Sequence, residues 1–370
     1  MRNDGRTGTD DPTTPRIGLR CDGGPQMGVG HVLRQLALAE EFIARGIEVT
    51  LLGTVQGSPL VDGLLGAHGL AMTPVGDDAA ALVATVRDLG LDVVMLDGYQ
   101  LPVALGTALR AAGIPVATMV DGRFGLDQDA DLYIDQNFGA VRDPGIPVDR
   151  QVLAGIGYAL LRDVVRSRRG ARSRSGPLDT PGARGPYTAP ATEGRPRVLC
   201  VFGGTDAYGA ALTVVPLLLS TGAPVEVVAV AANEGIAAEL RTSPTGPDQV
   251  LEVIGPVSDL PGLAATCDGV VSAAGTSIWE FFCLGVPTAL VAVVPNQLVG
   301  YDQVLEADLV APVGLLPDLR EEPGASTGRE VLHRFVTDAA WREGLGARGA
   351  ALVDGDGRVR VADAMLALRP

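Results

Sequence analysis

Twice along this 370-residue chain, short apolar runs alternate with stretches of helical period, and few folds accommodate that alternation. In the first half the runs are Ile17 to Cys21, Val49 to Leu52, Val93 to Leu96, Val116 to Val120 and Leu132 to Ile134, separated by helix-compatible stretches such as Ala79 to Leu89 and Val103 to Ala112. In the second half they are Arg197 to Phe202, Val225 to Ala229, Leu251 to Ile254 and Gly269 to Ser272, with a helix-compatible stretch from Ala210 to Leu219. Strand followed by helix, repeated, dictates right-handed crossovers onto a parallel sheet covered on both faces. The expectation is an α/β protein of two doubly wound, Rossmann-like domains, and ligands of such sheets sit at the carboxyl ends of the strands.

Between the halves, Arg166 to Pro196 holds arginine, serine, glycine and proline with almost no apolar periodicity, so it cannot bury enough surface to fold alone. The expected organisation is a disordered tail at 1–15, an N-terminal domain at 16–165, a flexible linker at 166–196 and a C-terminal domain at 197–370 that ends in helices. Hydrophobic residues make up 46% of the chain, ample for two such cores. No apolar run approaches a membrane span, and Met1 to Pro15 is polar and acidic where a signal peptide is basic and then apolar, so a cytoplasmic protein that binds no membrane is expected. The formal charge of −15 argues against nucleic acid as a partner, because phosphate backbones select basic surfaces. All 29 basic residues are arginine, a habit of GC-rich genomes with little bearing on mechanism. Cys21, Cys200, Cys267 and Cys283 are far apart and have no neighbouring histidine, so they read as buried thiols in a reducing compartment, with no metal site.

The strongest pointer to chemistry is Gln26-Met27-Gly28-Val29-Gly30-His31-Val32-Leu33-Arg34. It follows the first strand and opens a helix whose apolar positions Val32, Leu36, Ala39 and Ile43 run to Gly46. Gly28 and Gly30 let the backbone turn tightly and approach a ligand, and the first helical turn offers N–H groups and a positive dipole end. That dipole disfavours the charged form of His31, which suits a general base. A dinucleotide loop would need a third glycine where Leu33 or Arg34 stands and an acid where the next strand ends in Gly53, and neither is present. A histidine that merely caps the helix is the bland alternative. Four polar clusters fall at strand ends on the same rim: Arg20 with Asp22, Asp97-Gly98-Tyr99, Asp121-Gly122-Arg123 and Asp135-Gln136-Asn137. Each alone suits a turn; four on one rim suggest a site.

The second half repeats the device. One strand runs into Gly203-Gly204-Thr205-Asp206, and another into Ala274-Gly275-Thr276-Ser277-Ile278-Trp279-Glu280, followed by Gly285-Val286-Pro287. A small-residue loop opening a helix is a phosphate cradle. Ser277 and Glu280 share one helix face, where the carboxylate suits a ribose diol. The alternative is a capping box closed between the same two residues.

In this succession of motifs the chain resembles the two-domain GT-B nucleotide-sugar enzymes. More narrowly it is similar to the UDP-sugar hydrolase of pseudaminic acid biosynthesis and its relatives in spore-coat polysaccharide synthesis. Arg20 to Arg34, Leu96 to Tyr99, Asp131 to Asn137, Tyr158 to Arg162, Phe202 to Asp206, Ala274 to Glu280 and Asn296-Gln297 carry the resemblance. It implies a UDP-sugar donor held by the C-terminal domain, with the sugar facing an N-terminal domain that brings the acceptor and the catalytic base. Residue by residue, it implies His31 as base, with Gly203, Gly204, Thr205, Gly275, Thr276 and Ser277 around the diphosphate. It also implies Glu280 on the ribose, Ile254 beside the uracil, Asn296 and Gln297 near the sugar, and Gly30 and Tyr99 in the cleft. No metal or cofactor is implied, and in such folds the last helix often crosses back to the first domain.

Gly98 stands where the hydrolases usually carry a histidine before the tyrosine, and the linker is longer than a hydrolase needs. Transfer to a small acceptor is therefore preferred to hydrolysis, with a binding-only sensor a remote third reading. A finer expectation is similarity to cytosylglucuronic acid synthases of antibiotic routes, in which Arg20, beside Asp22, or Arg34 pairs with a glucuronic acid carboxylate and a nucleobase is the acceptor.

Overall fold

The computed structural model describes residues 14–24, 28–170 and 195–369. The expected tail at 1–15 and most of the expected linker, residues 171–194, lie largely outside them, as do Gln26 and Met27 of the glycine-rich loop.

The first sheet comprises β1 (Arg16–Cys21), β2 (Glu48–Leu52), β3 (Met72–Thr73), β4 (Val93–Asp97), β5 (Val116–Met119), β6 (Leu132–Asp135) and β7 (Gln151–Ala154). The second comprises β8 (Arg197–Val201), β9 (Val225–Val230), β10 (Gln249–Ile254), β11 (Gly269–Ala273), β12 (Thr288–Ala292) and β13 (Ala311–Leu315). The helices are α1 (Gly30–Ala44), α2 (Pro59–Ala67), α3 (Ala79–Asp88), α4 (Ala104–Ala111), α5 (Asp163–Arg166), α6 (Ala210–Leu219), α7 (Glu234–Leu240), α8 (Leu260–Ala265), α9 (Ser277–Leu284), α10 (Leu298–Glu306), α11 (Gly324–Thr337), α12 (Ala339–Leu352) and α13 (Gly357–Leu366).

Strand order is β3-β2-β1-β4-β5-β6-β7 in the first sheet and β10-β9-β8-β11-β12-β13 in the second, and the paired strands are parallel. Sequence order therefore reverses at β1/β4 and at β8/β11, and a crevice opens beyond the strand ends at each reversal. The inner strands β4, β5, β8 and β11 are buried along their whole length, as apolar runs covered by helices on both faces require.

The final helix does cross back. Val361, Ala362 and Met365 of α13 pack with Ile17, Val32 and Leu36 in the first core. Arg358, 2% exposed, bonds Glu40 and Glu41 of α1 and Asp163 of α5. One buried guanidinium thus holds the outgoing and returning crossovers to α1, the helix that carries His31 in its first turn.

The start of the expected linker is docked rather than free. Arg166 bonds Asp356 at 2.8 Å, Arg168 bonds Asp259 at 2.7 Å and Arg169 bonds the Val353 carbonyl at 3.3 Å. Its arginines find carboxylates and a carbonyl on the second half of the chain, which composition alone does not reveal.

Candidate active site

At the β1/β4 reversal, Cys21 and Asp97 are register partners at the strand ends. The loop after β1 brings the chain back over that point with Gly28 at φ +78°, a left-handed conformation that favours glycine. This sets His31 in the first turn of α1 directly above Asp97. His31 Nδ1 lies 2.8 Å from Asp97 Oδ1, and both side chains are buried. Asp97 also accepts from Arg34 Nε at 2.6 Å, from Arg34 Nη2 and from Gln35 Nε2 at 2.7 Å. Burial alone would raise the Asp97 carboxyl, but the Arg34 guanidinium and then His31 outweigh it and hold it well below the usual carboxylate range. Asp97 is therefore an ionised acceptor, and Nδ1 carries the proton that faces it. Arg34 Nη2, which has two N–H groups, donates to Asp97 Oδ1 and also stands 3.0 Å from Nδ1. In the neutral imidazole the remaining nitrogen, Nε2, is then the acceptor, and no described residue partners it.

Tyr99 meets the His31 ring edge-on, with centroids 4.6 Å apart, and its hydroxyl donates to Asp121 Oδ2 at 2.6 Å. Burial and then Asp121 push the Tyr99 hydroxyl well above its ordinary value, so it acts as a neutral donor.

At the β8/β11 reversal, Gly203 at φ +81°, Gly204 and Thr205 follow β8, and Gly275, Thr276 and Ser277 follow β11. Thr276 is the residue before the first turn of α9 and makes no side-chain cap. The capping-box alternative is therefore not formed: Ser277 is already helical and Glu280 turns instead to Arg162, at 3.3 Å. No side chain among the described residues closes the helix N-terminus.

Two cavities meet at this point. One of about 400 Å³ is lined by His31, Tyr99, Asp121, Asp135 and Gln297, among others. A second of about 330 Å³ is lined by Gly203, Gly204, Thr205, Ser277, Glu280 and Arg162, among others. Gly30, Arg34, Gly275, Thr276 and Trp279 line both, so the two cavities adjoin along one cleft between the sheets' strand ends.

Three expected residues are not brought to it, and a fourth reaches it already engaged. Arg20, 1% exposed, is turned under the first sheet's rim, where Asp22 at 2.6 Å and Asp77 at 3.0 Å neutralise it. Asp22 faces away as well, accepting from the Thr54 amide at 2.8 Å. Ile254 ends β10 and packs with the apolar cluster around β11 and α9, while Pro256, Val257 and Leu260 line the second cavity in its place. Arg34 lines both cavities but is committed to Asp97, the strongest anion within its reach. Burial alone would lower the Arg34 guanidinium, and Asp97 outweighs it and raises it. Gln297 lines the first cavity, with its Oε1 accepting from the Val293 amide at 2.9 Å. The side chain of Asn296 lies outside the described residues.

Asp97 is the candidate site residue that the sequence underrates. An acid ending the strand beside β1 was visible, but its pairing with His31 depends on strand order.

No family model and no curated protein matches the chain. Solved structures do match over nearly the whole length. MurG of Acinetobacter baumannii shares 15% identity at a TM-score of 0.63, covering 95% of this chain and 100% of that one. The UDP-GlcNAc 2-epimerase of Neisseria meningitidis, solved bound to UDP-GlcNAc, shares 12% at 0.62, covering 95% and 100%. CalG4, the calicheamicin glycosyltransferase, shares 18% at 0.58, covering 96% and 98%. At such identities it is the fold that is common, and this chain has the GT-B fold.

Proposed function

We propose that the protein is an inverting glycosyltransferase that moves a sugar from a UDP-sugar to a small acceptor in a secondary-metabolite pathway. The observation behind this reading is the buried His31–Asp97 pair, with Nε2 open to a cleft whose opposite wall is the uncapped N-terminus of α9. A base aimed at one end of a cleft and an anion seat at the other are the two groups that a displacement at an anomeric carbon needs.

In this reading, loop 203–205 and the first turn of α9 receive the diphosphate through backbone N–H groups. Glu280, held by Arg162, accepts the ribose hydroxyls, and Gln297 faces the sugar. His31 Nε2 takes the acceptor's proton, the freed electron pair bonds to the anomeric carbon from the face opposite UDP, and the bond to the diphosphate oxygen breaks. UDP leaves with the electron pair of the broken bond, and the configuration inverts. The helix dipole and amides stabilise the charge that builds on the diphosphate. Asp97 fixes the imidazole tautomer and stabilises the imidazolium as it forms.

The narrower resemblance to pseudaminic-pathway hydrolases and cytosylglucuronic acid synthases belongs to this proposal too. Of its details, the glucuronic acid choice loses both nominated arginines, since Arg20 lies away from the cleft and Arg34 is bound to Asp97. The structural neighbours support the donor class: one was solved bound to UDP-GlcNAc and another is the calicheamicin glycosyltransferase. Calorimetric titration of UDP tests the reading. UDP is expected to bind wild type and His31→Ala alike, and loss of binding in both would contradict a nucleotide site on the α9 side.

A further inference from the structure

Glu280 turns away from the bond that its place in the chain favours. It lies in the first turn of α9, three residues after Ser277. A carboxylate there ordinarily turns back to the backbone N–H three residues earlier and closes the helix end, drawn by the positive end of the dipole. The donor is available. The Thr276 and Ser277 amides have no partner among the described residues, whereas those of Ile278 and Trp279 donate at 3.2 Å to the carbonyls of Gly275 and Thr276. Glu280 Oε1 nevertheless accepts from Arg162 Nη2, at 3.3 Å.

Arg162 is placed to win that competition. Its side chain is 7% exposed and lines the second cavity, and its Nε–H has no partner among the described residues. A guanidinium so deeply buried needs an anion, and Glu280 is the one acid among the described residues lining this cavity. Arg34, the other cation there, is committed to Asp97. The backbone on either side of Arg162 is fixed. The Leu161 carbonyl accepts from Arg358 Nη1 at 3.4 Å, and the Asp163 amide donates to Glu40 Oε2 at 2.6 Å. The crossover between the sheets thus carries the guanidinium into the cavity, and α1 and α13 hold it there.

We propose that Arg162 is a positioning residue of the nucleotide site, which by drawing Glu280 aside keeps the Thr276 and Ser277 amides free for the diphosphate. This rests on the reading of the α9 N-terminus as the diphosphate seat. Without the cation, Glu280 falls back on the Ser277 amide, and a carboxylate then occupies the seat and repels the anion. Arg162 acts through Glu280, so its removal costs nothing further once Glu280 is gone.

A double-mutant cycle provides the test. UDP is titrated calorimetrically into wild type, Arg162→Gln, Glu280→Ala and the double variant, with circular dichroism as a folding control. Hydrogen exchange at the Ser277 amide is followed in unliganded wild type and Arg162→Gln. Arg162→Gln is expected to weaken UDP binding about tenfold or more, and the double variant to bind within about twofold of Glu280→Ala alone. The Ser277 amide is expected to exchange more slowly in Arg162→Gln. Unchanged UDP affinity in Arg162→Gln overturns the inference, and so do losses that add, the mark of a direct contact between Arg162 and the nucleotide. Arg162→Met carries the same comparison if Arg162→Gln does not fold. Failure of UDP to bind wild type would instead contradict the nucleotide reading. The exchange measurement would still decide whether Arg162 keeps the amide free, slower exchange in the variant supporting it and equal exchange overturning it.

Discussion

His31 and Asp97 stand 66 residues apart in the chain, yet their side chains meet at 2.8 Å. The contact follows from sheet order. β1 and β4 are neighbours, so the helix that begins after one lies over the last residue of the other. A histidine at a helix N-terminus alone would be free to rotate. Set against an ionised carboxylate, it has one orientation, with Nδ1–H facing the acid and Nε2 without a partner among the described residues.

Replacing the base separates chemistry from binding. His31→Ala is expected to lower kcat by about a thousandfold, within the range of a lost general base, while UDP affinity changes little. Steady-state kinetics and calorimetry on the same preparation check both.

Asp97→Asn keeps the shape but removes the charge. Arg34 is then a buried cation without its anion, and His31 loses the acceptor that fixes Nδ1–H. A stability loss of about 3 kcal/mol is expected, together with a fall in kcat of about a hundredfold or more. The acid dependence follows from the depressed Asp97 carboxyl. Its contribution is fully present above about pH 4, the ordinary aspartate range, and fades as pH falls further. Denaturant unfolding between pH 3 and 7 should show that loss in wild type and little of it in Asp97→Asn.

Arg20 separates the structural reading from the sequence expectation. Its guanidinium neutralises Asp22 and Asp77 away from both cavities. Arg20→Met should lower the melting temperature while leaving KM for the UDP-sugar within about twofold. A KM rise of tenfold without a change in stability would restore Arg20 to the substrate.

The thiols give a check on packing. All four cysteines are buried. Burial pushes Cys267 and Cys283 up to about 11, so both are neutral at pH 8 and poor nucleophiles. Iodoacetamide at pH 8 should label none of the four in the native protein and all of them after denaturation, as read by intact mass.

Much of this architecture was legible in the amino-acid order because buried parallel strands are apolar runs and the loops after them are glycine-rich. The runs at β1, β4, β8 and β11 and the helices opening at Gly30 and Ser277 all stand where the sequence puts them. The edge strand β7, Gln151–Ala154, escaped notice because a short strand among glycines and prolines carries no periodicity. The Asp97 partnership and the burial of Arg20 were not legible either, since each depends on which strands become neighbours. The same limit applied to Glu280: spacing permitted a capping box or a ribose contact, and the outcome rested on Arg162, 118 residues away in the chain.

The most direct test of the central claim is UDP release from a panel of UDP-sugars, with and without cytosine and other small acceptors, by wild type and His31→Ala. The account predicts release that depends on an added acceptor and disappears with His31. Release into plain buffer at an equal rate would make water the acceptor and contradict the transferase assignment.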